Sequence, residues 1–318
     1  MIHYPTHLWK NDKKFPLQND WLHPHQSLPD GVDPNDPASY QEYIREDYAQ
    51  DRITKEALRY IEQQKQAPFF LYLAYAGPHA ALQAPEAEID NYKFEETPYG
   101  VDSRYLPQRR PRAARAAMIT NIDTAIGKIT TLLATLELEN DTLIIFTSDN
   151  GYSCGAHNFG GKVLPYEEAS KSPLIIYDPR TPLKKRGVRR DAVTANIDMA
   201  PTILNYAGIT PPANMDGEDL RLLIEKPKKF KRETVALTNF WGNDEIQAMG
   251  VVSKDWKYIL WNFEDDKMNT TEELFHIGKD RLEMTNKATD ASEDKQLQKM
   301  RSLYDEQLKK LKQEAAKD

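Results

Sequence analysis

The chain of 318 residues has one cysteine, Cys154. A single thiol closes no internal disulfide and excludes a zinc site built on several cysteines. Long apolar runs are missing too. The longest, Ala67–Pro78 (APFFLYLAYAGP), ends in proline after 12 residues, short of the ~20 that a bilayer span needs. The N-terminus, MIHYPTHLWKNDKKFPL, has no cationic head followed by an apolar block, so no signal peptide is legible in it. Positive charge is in deficit. The 42 Lys and Arg face 49 Asp and Glu, a net charge of −7, which excludes general nucleic-acid binding because phosphate neutralisation needs excess cations. There is no internal repeat and no low-complexity tract.

What is present reads as roughly two domains at about 150 residues each, large enough to bury about three quarters of the unfolded surface. Residues 1–45 are polar and without sustained period, which predicts loop with short elements. Thr54 is placed to cap a helix through KEALRYIEQQKQ, with Ala57, Leu58 and Ile61 on one face and Pro68 beyond its end. The run FFLYLAYA (69–76) is apolar on both faces, as a buried parallel strand is. After an irregular stretch over 80–112, Met118, Ile122, Ala125, Ile129, Leu132, Leu133 and Leu136 recur at three- and four-residue steps, predicting a helix over about 113–136. Further strands follow at TLIIFTS (142–148) and PLIIYDP (173–179), then a helix over 198–207. Strand, helix and strand at crossover length predict an α/β fold with a mostly parallel sheet flanked by helices.

From residue 226 the texture changes. KPKKFKRE reads as a cationic linker, and TVALTNF, QAMGVVS and WKYILWNF follow as short alternating runs without helices between them. They predict a small antiparallel sheet. A closing amphipathic helix carries Leu297, Met300, Leu303, Leu308 and Leu311 as its seam. The expected division is residues 1–225 and 226–318.

The chemistry collects where strands end. His79 follows the run 69–76, and Asp149 and Asn150 follow TLIIFTS; in open α/β sheets ligands bind outside the carboxyl ends of strands. Asp149 and Asn150 offer hard oxygen donors suited to Ca²⁺ or Mg²⁺, although Asp-Asn-Gly is also ordinary turn chemistry. His157 sits in CGAHNFGGK, and Lys162 follows a Gly-Gly pair that lets the backbone pass close to a neighbour. Taken singly, each is equally a loop histidine or a solvated lysine.

As a collinear set, PFFLYLAYAGPHAALQAP, IIFTSDNGY, GGKVLPYEEASKSPLIIYDP and VTANIDMAPTILNYAGI resemble the formylglycine-dependent sulfatases, arylsulfatase-like members of the alkaline-phosphatase-like superfamily. The resemblance extends back to YPTHLWKNDKKFPL and forward to WKYILW and EELFHIGKDRLEMTN. It implies that Asp149 and Asn150 ligate one divalent ion, usually Ca²⁺. It implies that Lys162 contacts the sulfate and the leaving oxygen, and that His79 binds sulfate and protonates the leaving alcohol. His157 falls where relatives carry a histidine beside the substrate. The implied substrate is a sulfated small molecule or glycan, and the implied location is periplasmic or secreted. A metal, a lysine and a general acid each stabilise charge arriving on a bridging oxygen.

The family pattern also holds an apolar strand ending in adjacent aspartates and a Cys/Ser-x-Pro-x-Arg segment whose first residue becomes the formylglycine. Neither occurs in this sequence, and Cys154 is followed by Gly-Ala-His-Asn. The expectation is therefore an N-terminally truncated sulfatase, inactive alone and completed by the missing N-terminal part. Two ligands of the six to eight around Ca²⁺ predict weak binding. Two other readings stay open. One is a phosphodiesterase or phosphonate hydrolase of the same superfamily, against which Asn150 speaks because a site for two transition metals favours histidine. The other is a non-enzymatic module for anionic glycans, using Arg180, Lys184, Lys185, Arg186, Arg189 and Arg190, although a solvated loop explains the same run. Trp241, Trp256 and Trp261 read as core of the small sheet and His276 as structural, while Glu167 and Glu168 could order the lysine loop but are more commonly surface residues.

Overall fold

A computed structural model describes residues 2–99, 105–239, 246–263 and 270–315, and the chain divides into two units, Met1–Thr142 and Leu143–Asp318. The first unit opens with an antiparallel hairpin of β1 (His7–Lys10) and β2 (Lys13–Pro16). A 3-10 turn at Pro37–Tyr43 is capped by the Asp36 carboxylate, which accepts from the Ala38 amide at 2.9 Å. Helix α1 (Ala49–Gln64) starts five residues before the expected cap. Thr54 lies inside it, and its hydroxyl donates to the Gln50 carbonyl at 2.9 Å instead of capping. The start is set by packing: Tyr48, directly before the helix, is buried against Tyr4.

A one-turn helix, α2 (Glu86–Ile89), and the long α3 (Pro111–Thr135) complete the unit. Pro111 suits the first turn, where its missing amide leaves no bond unmade. Ala113, Ala114, Ala117 and Met118 pack on Leu82, Ala84 and Ile89. Asn121 joins the three helices: its amide accepts from Gln50 at 2.6 Å and donates to Asp51 and Glu88. Of the expected seam, Met118, Ala125 and Leu133 are buried, while Ile122, Ile129, Leu132 and Leu136 are half-buried.

The strand pairing corrects one expectation. Residues 69–76 have no ladder partner among the described residues, and Phe70 and Tyr72 are 67% and 81% exposed. An apolar run is buried on both faces only when strands flank it, and here none does. The described pairings are all antiparallel. In the second unit β3 (Ile144–Thr147) pairs with β6 (Leu174–Tyr177) antiparallel. Between them run a hairpin of two-residue strands, β4 (Ser153–Cys154) with β5 (Gly160–Gly161), a 3-10 turn at Ala156–Asn158 and the short helix α4 (Glu167–Ser170). Without a long crossover helix the chain returns antiparallel. The α/β character stands.

Helices α5 (Met199–Tyr206) and α6 (Arg221–Glu225) follow. Leu174, Ile176 and Met199 pack on Leu220, Leu223 and Phe230. The cationic stretch is thus anchored: Phe230 enters this core, and the Arg232 guanidinium lies 2.5 Å from the fully buried Asp198.

The expected small sheet is present as β7 (Val235–Asn239), β8 (Ile246–Val252), β9 (Lys257–Phe263) and β10 (Thr271–Phe275), in the order β10-β9-β8-β7. Strand alternation gives it two buried faces. Met249, Val251, Tyr258 and Leu274 take Leu297, Met300 and Tyr304 of the closing helix α7 (Asp294–Ala315). Ala248, Ile259 and Phe275 take Tyr166. Trp256 and Trp261 pack into these cores, and His276 sits on Trp256 with ring centroids 4.4 Å apart. Trp241 lies outside the described residues.

Candidate functional site

In the second unit, β3 ends and the chain passes through Ser148, Asp149 and Asn150 to Gly151. Two supports hold this tip. The Asn196 amide donates to the carbonyls of Ser148 at 3.0 Å and Asp149 at 2.8 Å. The Gly151 amide donates to the Ala169 carbonyl in α4 at 2.9 Å. Only glycine fits there. A Cβ on residue 151 would stand 2.2 Å from the Glu168 carbonyl oxygen and 2.7 Å from that of Lys171.

The tip leaves two oxygens uncommitted. Asp149 Oδ1 accepts from the Asn150 amide at 2.9 Å and from the Ser148 hydroxyl, and Oδ2 has no donor among the described residues. Asn150 donates through Nδ2 to the Gly151 carbonyl at 2.6 Å, and its Oδ1 has no donor among the described residues. One carboxylate oxygen and one amide oxygen, on successive residues of a braced turn, fit a hard divalent cation in donor type. They supply two ligands. Among the described residues no group of three or more His, Cys, Asp or Glu gathers around a common point.

The β4–β5 hairpin sets Gly161 opposite Ser153 and so returns Lys162 beside the chain that leaves the tip. Gly161 makes this turn at φ +117°, a conformation that costs glycine little. Lys162 is exposed and has no ion pair or hydrogen bond of its own among the described residues. His157, at φ +55°, donates from Nε2 to the Leu282 carbonyl at 2.8 Å and stacks on Tyr166 with centroids 4.2 Å apart. One nitrogen and one ring face are therefore engaged, and Nδ1 is left.

The small sheet braces the far side of α4. Lys257 has no exposed surface, and its ammonium lies 2.9 Å from Glu167, 2.9 Å from Glu283 and 2.8 Å from the Pro165 carbonyl. Glu283 in turn accepts from the Glu167 amide at 2.6 Å. Burial raises the Glu283 carboxyl above its ordinary value. Burial acts on Glu167 in the same sense, but Lys257 and Lys171 outweigh it and hold that carboxyl below its ordinary value. Glu168 accepts from the Cys154 amide at 3.3 Å. The surface reading of Glu167 and Glu168 is thus corrected: both order the loop that carries Lys162. Sequence reasoning missed Asn196, Lys257 and Glu283. The available signal was a lysine opening the apolar run of β9.

His79 belongs to the first unit. Its Nδ1 donates to the Ala80 carbonyl, leaving Nε2 as the nitrogen free to act. Its own carbonyl accepts from Nε2 of His3 at 2.8 Å. His3 is buried, and its backbone amide donates to Gln83 at 3.0 Å, so the residue braces the 79–83 loop from below. Burial pushes the His3 imidazole down to about 4, which keeps it neutral.

Two of the six cations in the basic run 180–190 meet a carboxylate, and two more are held by backbone carbonyls. Arg180 pairs with Asp178 at 2.9 Å and Arg189 with Asp191 at 3.5 Å, while Arg186 and Arg190 donate to backbone carbonyls. Lys184 and Lys185 alone of the six have no such partner among the described residues.

A family profile named Sulfatase matches residues 2–209, and one for the N-sulphoglucosamine sulphohydrolase C-terminal region matches residues 155–314. An arylsulfatase of Clostridium perfringens is 30% identical over 242 residues, covering 69% of this chain and 49% of that protein. The chain spans about a third to a half of the length of the curated relatives it matches. A structure solved in complex with its substrate D-glucosamine-2-N,6-O-disulfate superposes with a TM-score of 0.68 at 20% identity, over 85% of this chain and 71% of that one. A phosphonate monoester hydrolase of Agrobacterium radiobacter superposes with a TM-score of 0.65 at 22% identity, over 84% and 60%. At such identities the structures show the fold alone. No helix among the described residues is long and apolar enough to cross a membrane.

Proposed function

This chain belongs to the sulfatase family, and from that premise we propose that it supplies the cation- and sulfate-binding part of a sulfuric ester hydrolase. The observation that carries the reading is the braced tip, where Asp149 Oδ2 and Asn150 Oδ1 have no partner among the described residues. These two oxygens would hold Ca²⁺, which supplies positive charge against the sulfate oxygens when bound. Lys162, exposed and unpaired, meets a sulfate oxygen and the leaving oxygen. His79 keeps its imidazole oriented through Nδ1 and delivers a proton from Nε2 to the leaving alcohol. His157 offers Nδ1 beside the substrate.

The covalent step belongs to a formylglycine. No Cys/Ser-x-Pro-x-Arg segment occurs in these 318 residues, so turnover by this chain requires that segment to be supplied. The substrate is a sulfated small molecule or glycan, met in a periplasmic or secreted location.

The test is equilibrium binding of 4-nitrocatechol sulfate to the folded chain with and without Ca²⁺, beside a competing phosphonate monoester. We expect Ca²⁺-dependent binding of the sulfate ester, weakened about tenfold or more in Asp149→Ala. A folded chain that binds no sulfate ester in Ca²⁺ rejects the reading. Preference for the phosphonate would replace it with phosphonate hydrolysis, the reaction of the Agrobacterium structure.

A further inference from the structure

Four aromatic or imidazole rings lead to His79 within the first unit. Trp21 meets His23 at 5.7 Å between centroids, His23 meets His25 at 6.1 Å, His25 meets Tyr105 at 6.5 Å, and Tyr105 meets His79 at 5.9 Å. The steps are edge-on or tilted, so the rings line a path instead of forming a closed stack. Trp21 is 68% exposed, and His23 and His25 are exposed as well. A tryptophan facing water forgoes burial of its large apolar surface, which a core would not waste.

The path is held rigidly at its base. Leu22 and Leu28 point inward from the same segment and pack with Tyr40, Tyr43, Ala81 and Leu106. Ala81 follows His79 by two residues and Leu106 follows Tyr105 directly. One core cluster therefore fixes the Trp21–His25 segment against both His79 and Tyr105. Two imidazoles lie between the tryptophan and the tyrosine. His23 accepts the His25 amide through Nδ1 at 3.2 Å, which puts its proton on Nε2 as an outward donor.

We propose that Trp21, His23, His25 and Tyr105 form a glycan subsite that leads a sulfated oligosaccharide to His79. The inference rests on the reading above that His79 meets the leaving group of a sulfate ester. Apolar ring faces interleaved with N–H donors match the apolar faces and hydroxyl edges of pyranose rings. Four successive ring contacts offer more than one place for a sugar ring to rest. The proposal adds the leaving-group side of the substrate to the reading, and it assigns specificity to a segment outside the sulfate- and cation-binding residues.

The experiment compares a sulfated monosaccharide with a tetrasaccharide ending in the same sulfated sugar, by calorimetric titration of the whole chain in Ca²⁺. Wild type is expected to bind the tetrasaccharide more tightly. Trp21→Ala should remove about three- to tenfold of that gain, leave the monosaccharide unchanged, and keep the melting temperature because the side chain is exposed. Trp21→Phe should restore part of the gain, and His79→Ala should weaken both ligands. Equal binding of the two sugars by wild type, or a gain that survives Trp21→Ala, overturns the subsite and leaves the sulfatase reading standing. If the folded wild type binds neither sugar, the sulfatase reading fails and the subsite fails with it.

Discussion

The Lys257 ammonium and the Glu283 carboxylate, each essentially without exposed surface, lie 2.9 Å apart beneath the loop that carries Lys162. Removing one member of a buried pair strands the other without compensation, at about 3–5 kcal/mol. Lys257→Met is expected to lose that much in urea unfolding, because Glu167 and Glu283 are then both left facing each other. Lys257→Met combined with Glu283→Gln should recover part of the loss, since the second substitution removes one of the two stranded charges. A double variant no more stable than the single one would show that the pair is not coupled.

Gly151→Ala places a methyl group 2.2 Å from the Glu168 carbonyl. The backbone must shift, and the Gly151–Ala169 hydrogen bond that holds the tip is the contact nearest to the intrusion. The expected outcome is a loss of about 1–3 kcal/mol together with loss of Ca²⁺-dependent sulfate-ester binding. Serine at the same position should behave alike, because the obstacle is the Cβ itself.

Asn196→Ala separates support from ligation. The amide touches only the carbonyls of Ser148 and Asp149, so the cation-ligating oxygens themselves are untouched. Outer partners of metal ligands are commonly worth 10- to 100-fold in affinity. A fall of about tenfold in Ca²⁺ affinity, read by calorimetry with the melting temperature nearly unchanged, is expected. Unaltered affinity would remove Asn196 from the site.

Acid should weaken the first unit through His3. Its folded value is about 4 against an ordinary 6.5, so between these pH values the unfolded chain binds the extra proton. Stability is then fully present above pH 6.5 and declines as pH falls toward 4, by roughly 3 kcal/mol. Chemical unfolding at pH 7 and pH 4.5 measures it. His3→Gln, which keeps a donor for the His79 carbonyl, should flatten that part of the profile.

Periodicity carried the C-terminal half well. The strands of the small sheet alternate, the closing helix keeps its seam at Leu297, Met300 and Leu303, and both survive in the structure because local pattern and tertiary packing agree. The run 69–76 shows where pattern fails. Apolar residues on both faces state what a segment can bury, and whether neighbours are there to bury it is not written in the segment. Thr54 fails for a related reason, since capping chemistry competes with packing at Tyr48.

Within the candidate site, Asp149 and Asn150 were legible because turn chemistry and the family motif coincide. Their supports were not. Asn196 is 46 or more residues away in sequence, and Lys257 and Glu283 are farther still; each acts through a contact that only folding creates. Glu167 looked like surface because a glutamate pair is ordinary at a helix start. The acid is drawn in here by Lys257, which shares its face of β9 with the core residues Ile259 and Trp261.

Arg232 and Lys257 together limit how evolution can rearrange this chain. Each reaches from the 226–318 segment into the preceding one, Arg232 to Asp198 and Lys257 to Glu167. A foreign C-terminal sheet grafted after residue 225 would arrive without these two cations, leaving buried Asp198 without its guanidinium and Glu167 with Lys171 alone. The segment is therefore matched to the chain that precedes it, and shuffling should preserve the four residues or lose them together.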